Sequence, residues 1–383
     1  MFSLSWLYRK YCELLIILDI IWYQIQHIPW FFRNEFHVFQ DTTTNHHEFH
    51  SSSCVKFSKT TRMLNVVRNF MFHWVRAVFG ASPQTSKDSE NNFILNYGMR
   101  YAEQRERQTL NEYIPMKVRQ ENLAGKKFGT CRVVIFLHGG TWHSGHADLY
   151  HNFSKFVCQK NGYLCYNLNY TLFPKGHLEE MIEDVDRGID FVMKRAKLLI
   201  EEPEFVLVGH SAGAHLFSCV FMNKISKSIE YESTDWNIHQ VKKLVLLCGV
   251  YDMVTHYEYE KKRQVHIISP MWKVCKGTQR FSQFSPSVII DFLKKEKGDQ
   301  DLKILFSQWP HTVIAHGKKD ITCPYIQSES FYQKLSDLSK NVQFYLLESF
   351  YHGDLITNFM GIENDTEKRD QIWNLIISQV ETE

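Results

Sequence analysis

No two cysteines in this 383-residue chain are spaced as a C-x-x-C pair, so a structural zinc site has little support. The nine cysteines (12, 54, 131, 158, 165, 219, 248, 275 and 323) are odd in number and fall mostly inside apolar runs. They read as free buried thiols in a reducing compartment. Charge imbalance is also missing. Lys and Arg number 44 against 42 Asp and Glu, a net of +2, and no basic stripe is present, which excludes an electrostatic case for nucleic acid. There is no internal repeat. Clean apolar runs long enough for a membrane are lacking too: the stretch from Tyr11 to Phe32 is broken by Glu13, Asp19 and Pro29. No small-residue cleavage site follows it, which argues against a secretory signal peptide.

What the chain does have is length and aromatics. Apolar residues make up 44%, with 28 Phe and 18 Tyr, enough for one large domain with an extension. Residues 1–80 form an apolar, aromatic extension suited to a membrane-surface or re-entrant helix. Within it, Met63 to Phe79 has apolar residues at helical spacing that would serve a membrane or a protein surface equally. His46, His47, Glu48 and His50 miss the HExxH zinc spacing by one residue and read as a solvated loop. A polar linker spans 81–92, and a catalytic domain is expected over 93–383. Sequons occur at Asn152, Asn169 and Asn364; Asn169 lies in an apparent core strand, which argues against a glycan there.

From Cys131 onward, short β-branched runs alternate with amphipathic helical patterns. Strands are expected at Arg132–Leu137, Tyr163–Leu168, Phe205–Val208, Leu244–Cys248, Thr312–Ala315 and Val342–Leu347. Helices are expected at Leu149–Gln159, Leu178–Ala196, Ser211–Asn223, Ile326–Leu338 and Lys368–Val380. Such alternation implies a mostly parallel sheet with helices on both faces.

Gly209-His210-Ser211-Ala212-Gly213 follows one strand directly and opens a helix. The two glycines free space for a sharp strand-to-helix turn, which lifts the Ser211 hydroxyl above the sheet edge at a helix amino terminus. Gly139 and Gly140, after an earlier strand, let backbone N–H groups approach a ligand; with the N–H of Ala212 they make a candidate oxyanion hole. The acid and the histidine should follow in that order. Asp320 comes just past the strand Thr312–Ala315, and His352 just past Val342–Leu347. His316, His210 and His311 are the competing histidines. Glu348 competes as the acid, but it falls at the end of the last strand, so Asp320 leads. Ser211 is therefore the candidate nucleophile, His352 the base and Asp320 the acid that orients it.

These motifs carry a resemblance. The chain resembles the prenylcysteine carboxyl methylesterase branch of the α/β-hydrolases, related to kynurenine formamidase and the hormone-sensitive-lipase-like esterases. The matching stretches are Asn96–Gly98, Arg107–Pro115, Gly139–Gly145, Asn169–Pro174, Met181–Val185, Gly188–Phe191, Ser211–His215, Gly249–Asp252, His256–Tyr259 and Phe281–Pro286, within about residues 95 to 360. The resemblance implies an α/β-hydrolase fold with a cap insertion over about 253–308. It also implies a serine carboxylesterase using Ser211, Asp320 and His352, with Gly139, Gly140 and Ala212 as oxyanion donors and no metal or organic cofactor. The expected substrate is the methyl ester of prenylated cysteine, whose hydrocarbon would lie against Trp142, Tyr170 and Phe173, with cap aromatics such as Tyr257, Tyr259 and Trp272 beside them. Simple core packing is the ordinary role of each of these aromatics. Such a substrate puts the expected location at a membrane of the endoplasmic reticulum or Golgi, contacted through residues 1–80, with the cytoplasm as alternative. The chain departs from the family in having Thr171 where an Arg is usual. The alternatives are an aryl formamidase working with the same triad and a catalytically inactive binding protein on the hydrolase fold.

Overall fold

Val133 to Leu137 are apolar without a break and fully buried, the signature of a strand covered on both faces. That strand, β3 (Phe128–Leu137), lies at the centre of an eight-stranded sheet. The computed structural model describes residues 93–267, 269–359 and 365–374. The expected extension 1–80, the linker 81–92 and Asn364 lie outside the described residues. Among the described residues, no helix is long and apolar enough to cross a membrane.

The other strands are β1 (Phe93–Arg100), β2 (Thr109–Pro115), β4 (Leu164–Leu168), β5 (Ile200–His210), β6 (Val241–Leu247), β7 (His311–Gly317) and β8 (Val342–Leu347). Their order is β1-β2-β4-β3-β5-β6-β7-β8. Only β2 runs against the rest, pairing antiparallel with both β1 and β4. From β4 to β8 every pairing is parallel, with Val134 opposite Cys165 and Val206, and Leu246 opposite Ile314. All carboxyl ends of these strands therefore meet along one edge, where open parallel sheets build their sites.

Side chains alternate across the sheet. Val133, Ile135 and Leu137 enter one apolar cluster, Val134 and Phe136 the other. The helices are α1 (Met116–Leu123), α2 (His151–Asn161), α3 (Leu178–Leu199), α4 (Ala212–Ser226), α5 (Met253–Arg263), α6 (Met271–Val274), α7 (Pro286–Lys297), α8 (Asp299–Leu305), α9 (Ile326–Ser336), α10 (Asp354–Thr357) and α11 (Thr366–Ile372). The first cluster is covered by α3, α4, α7 and α9 through Met181, Phe217, Ile290 and Phe331. The second is covered by α2, α10 and α11 through Phe153, Val157, Leu355 and Ile372. The seven described cysteines are buried and free, which fits the reading as reduced core thiols.

One expectation changes here and another holds. The segment expected as a cap over 253–308 divides at Ser285. Residues from α5 to the 3-10 turn Thr278–Phe284 are an insertion after β6. From Pro286 onward the chain is the crossover that returns to β7, its helix α7 packed against α4 and α9. Asn169, as its core position suggested, is buried and bonded through its side chain to Ala147 N–H and Thr109 Oγ1, leaving no room for a glycan.

Thr171 itself is buried, and its main chain is tied to an acidic side chain. Buried Asp184 accepts from the Thr171 N–H (2.8 Å), from Gln108 Nε2 (2.7 Å) and from Arg105 Nη1 (2.6 Å), so Arg105 on the β1–β2 connection supplies the cation. A buried carboxylate needs such a partner.

Candidate active site

The turn after β5 is sterically forced. Ser211 has φ 55° and ψ −118°, a conformation that costs a non-glycine residue about 1–3 kcal/mol and persists only where its surroundings fix it. They do: Ser211 N–H donates to Leu247 O at 2.8 Å. A Cβ on Gly209 would lie 2.8 Å from the Ala214 backbone, and one on Gly213 would lie 2.2 Å from Leu137 O. Both glycines are there because neighbouring backbone occupies the space. Gly213→Ala is thus expected to lower folding stability by about 3 kcal/mol, read from urea denaturation, since the clash is with main chain that cannot yield.

The structure brings Ser211, His352 and Asp320 into one row. His352 Nε2 is 3.0 Å from Ser211 Oγ, and its Nδ1 is 2.6 Å from Asp320 Oδ2. A carboxylate only accepts, so the proton sits on Nδ1 and Nε2 is free to accept from the hydroxyl. Asp320 is itself held in place. Its Oδ1 accepts the N–H groups of Thr322 (2.8 Å) and Cys323 (2.9 Å), and Oδ2 accepts from His316 Nε2 at 3.0 Å. Burial alone would raise the Asp320 carboxyl. The attraction of His352, followed by the hydrogen bonds from His316 and His352, outweighs it and holds the group well below the usual carboxylate range. Glu348, the competing acid, is exposed and paired with Lys318 at 2.9 Å.

The Gly139–Gly140 loop lies against the elbow: a Cβ on Gly139 would be 2.9 Å from Ser211 Cβ, and one on Gly140 (φ 125°) would be 2.3 Å from Ser144 O. Ala212 opens α4, whose amino terminus favours negative charge. Gly139 therefore stands against Ser211, and Gly140 follows it in the same loop.

Trp142 and Tyr170, expected against a substrate, are placed otherwise. Trp142 is buried, and its Nε1–H donates to His215 Nδ1 (3.1 Å), while His215 Nε2–H donates to Phe284 O (2.8 Å). Tyr170 is fully buried, with its hydroxyl on His138 O at 3.2 Å and its ring stacked on His138. Both brace the loop from behind rather than line a surface open to ligand. Phe173 is half-buried, packed against the core cluster. Arg107, given no role by the sequence reading, is a third brace: it donates to Gly145 O (2.7 Å) and Tyr170 O (3.0 Å). Arg107 lies on the β1–β2 connection beside Arg105 and Glu106, and nothing in the sequence singles it out from these charged neighbours. His210, the variable position of the motif, contacts the loop of His352.

Among the described residues, Cys248, His316 and Asp320 are a grouping that could hold a metal ion. Asp320 is already bound to His352, and His316 to Ser328 Oγ (2.6 Å) and Cys323 O (2.9 Å), all of which a metal would have to displace.

A sheet with one antiparallel strand, bearing Ser, Asp and His after β5, β7 and β8, defines an α/β-hydrolase with a serine-hydrolase constellation. Within that class the chain belongs to the BD-FAE family, whose model matches residues 122–335. It is 28% identical over 257 residues to a probable isoprenylcysteine alpha-carbonyl methylesterase of Oryza sativa subsp. japonica, covering 67% of this chain and 56% of that protein. A kynurenine formamidase of Salmo salar is 24% identical, over 60% of this chain and 73% of its own. The chain spans about half the length of the methylesterases it matches. In fold it is similar to the crystal structure of an inhibited esterase B from Lactobacillus rhamnosis, with TM-score 0.59 and 19% identity, over 82% of this chain and 94% of that one.

Proposed function

We propose that the protein is a serine carboxylesterase, with Ser211 as nucleophile, His352 as general base and acid, and Asp320 as the group that orients His352. The observation that carries this reading is the row of hydrogen bonds at 3.0 and 2.6 Å from Ser211 through His352 to Asp320. An ester carbonyl binds with its oxygen toward the N–H groups of Gly139, Gly140 and Ala212. Ser211 attacks as His352 takes its proton, and the negative charge collects where the donors and the α4 dipole favour it. His352 then protonates the leaving alcohol, and water repeats the sequence on the acyl-enzyme. The chemistry calls for no metal or organic cofactor.

The substrate we propose is the methyl ester of prenylated cysteine, releasing methanol. The methylesterases to which the chain is similar support it. The cap aromatics support it too: Tyr257 and Tyr259 are half-buried and Trp272 is exposed, on the insertion that follows β6. Such a substrate suits work at a membrane surface, for which the stretch Tyr11–Phe32 is the sequence-level support.

The test is methanol release from an S-prenylcysteine methyl ester, with an S-methyl analogue and N-formylkynurenine in parallel. Each buried CH₂ contributes about 0.8 kcal/mol, so seating even four prenyl carbons should raise kcat/KM by about 10²-fold over the S-methyl analogue. Equal rates on the two esters would discard the prenyl assignment. Preference for formylkynurenine would move the protein to the formamidases, and inactivity on all three and on an aryl ester would favour an inactive binding protein.

A further inference from the structure

His210 is the one polar side chain of the Gly209–Gly213 turn that the proposed chemistry leaves unused. Its ring is buried, with its centroid 5.1 Å from that of His352 and the planes tilted by 49°. Nε2 lies 3.0 Å from the main-chain oxygen of His352. A carbonyl oxygen only accepts, so the proton sits on Nε2. Nδ1 is left as a buried lone pair without a partner, on the side of the oxyanion loop: a Cβ built on Gly139 would lie 3.2 Å from it. Burial, then the proximity of His352, pushes the His210 pKa down to about 3, so the ring stays uncharged and does not oppose a proton on its neighbour.

We propose that His210 is a positioning residue for the base: by donating Nε2–H to the His352 carbonyl, it ties the loop carrying His352 to the turn carrying Ser211. The proposal rests on the Ser211–His352 reading above. The other bonds of that loop run elsewhere. Phe350 O accepts from Lys319 N–H (3.0 Å), in the turn that carries Asp320, and Tyr351 N–H donates to Asp354 Oδ2 (3.0 Å), within its own segment. The bond from His210 reaches the base's own residue, and its donor is the immediate chain neighbour of Ser211. Base and nucleophile are thereby registered against one another through a single short loop of bonds. Registration of this kind matters because a displacement of roughly 1 Å in a reacting group costs about 10²-fold in rate.

Two substitutions separate the donor from the bulk. His210→Phe keeps a ring and removes the N–H; His210→Gln removes the ring and keeps an N–H donor. Each is measured for kcat and KM on a p-nitrophenyl ester, for the rate at which a fluorophosphonate labels Ser211, and for melting temperature. We expect His210→Phe to lower kcat and the labelling rate together by about 10- to 100-fold with KM within about twofold, and His210→Gln to recover most of the loss. A space-filling role gives the opposite ranking, with Phe tolerated and Gln impaired, and overturns the proposal. So do a Phe variant as fast as wild type and a Gln variant as slow as Phe. Should His210→Phe not fold, His210→Met, also without a donor, enters the same comparison with Gln. Wild-type protein that takes no label at all would sink the Ser211–His352 reading itself, whereas labelling indifferent to position 210 sinks only this inference.

Discussion

Replacing Ser211 with alanine is expected to lower kcat by about 10⁶-fold while leaving the fold intact. The size of the effect follows from the division of labour at the site. The hydroxyl is the only group at the turn that forms a bond to the acyl carbon, and without it the oxyanion donors and the His352–Asp320 pair can assist only direct attack by water. Residual catalysis by such remnants is about 10³–10⁴ over water. KM should change little, because Ser211 Oγ makes its largest contribution in the transition state. Alanine takes the φ of 55° no more easily than serine, so the strain is retained and the melting temperature should stay near that of wild type. The measurement is single-turnover release from a p-nitrophenyl ester, with fluorophosphonate labelling as a second readout. More than about 1% of wild-type turnover in purified Ser211→Ala would remove Ser211 as nucleophile.

Much of this site is written in the chain because its parts sit at strand ends. Uninterrupted runs such as Val133–Leu137 announce buried parallel strands, and the parallel arrangement then delivers the residues after β3, β5, β7 and β8 to one edge. The glycines at 209 and 213 are legible for a physical reason: backbone fills the space a side chain would need. Other assignments could not be made from spacing. Trp142 and Tyr170 are aromatic and close to the Gly139–Gly140 loop, and nothing in the sequence distinguishes facing a ligand from facing the core; their N–H and O–H groups, used on His215 and His138 O, decide it. The cap boundary was obscured in the same way. Helical periodicity in Pro286–Lys297 says that one face is buried, not that the partner is α4 under the sheet rather than the substrate mouth. The pairing of Arg105 with buried Asp184 joins residues 79 apart in sequence, and no local pattern signals it.

Asp320→Asn should lower kcat/KM by about 10⁴-fold, and the hydrogen bonds around Asp320 explain why so small a change in shape costs so much. Oδ1 receives two backbone N–H groups, those of Thr322 and Cys323, so an asparagine must place its oxygen there. Its NH₂ then takes the position of Oδ2 and faces two rings. Toward His352 Nδ1, 2.6 Å from Oδ2 in the wild type, it presents a donor where an acceptor stood. The ring is driven to the tautomer with its proton on Nε2, pointing at Ser211 Oγ, and can no longer receive the hydroxyl proton. Toward His316 Nε2, which also donates to Cys323 O, the same NH₂ sets donor against donor. Glu348→Gln is the paired control. Its carboxylate lies out at Lys318, so its loss should leave activity within about twofold, as expected for an exposed ion pair. Activity within tenfold of wild type in Asp320→Asn, or a large loss in Glu348→Gln, would reverse the assignment of the acid. Stability gives an independent check through its pH dependence. A carboxyl held below its ordinary value contributes stability that is fully present above the unfolded-chain pKa of about 3.9 and is lost as pH falls toward the folded-state value. The stability of wild type over Asp320→Asn should therefore be constant from neutral pH down to about 4 and narrow below it, whereas activity separates the two proteins across the whole assay range.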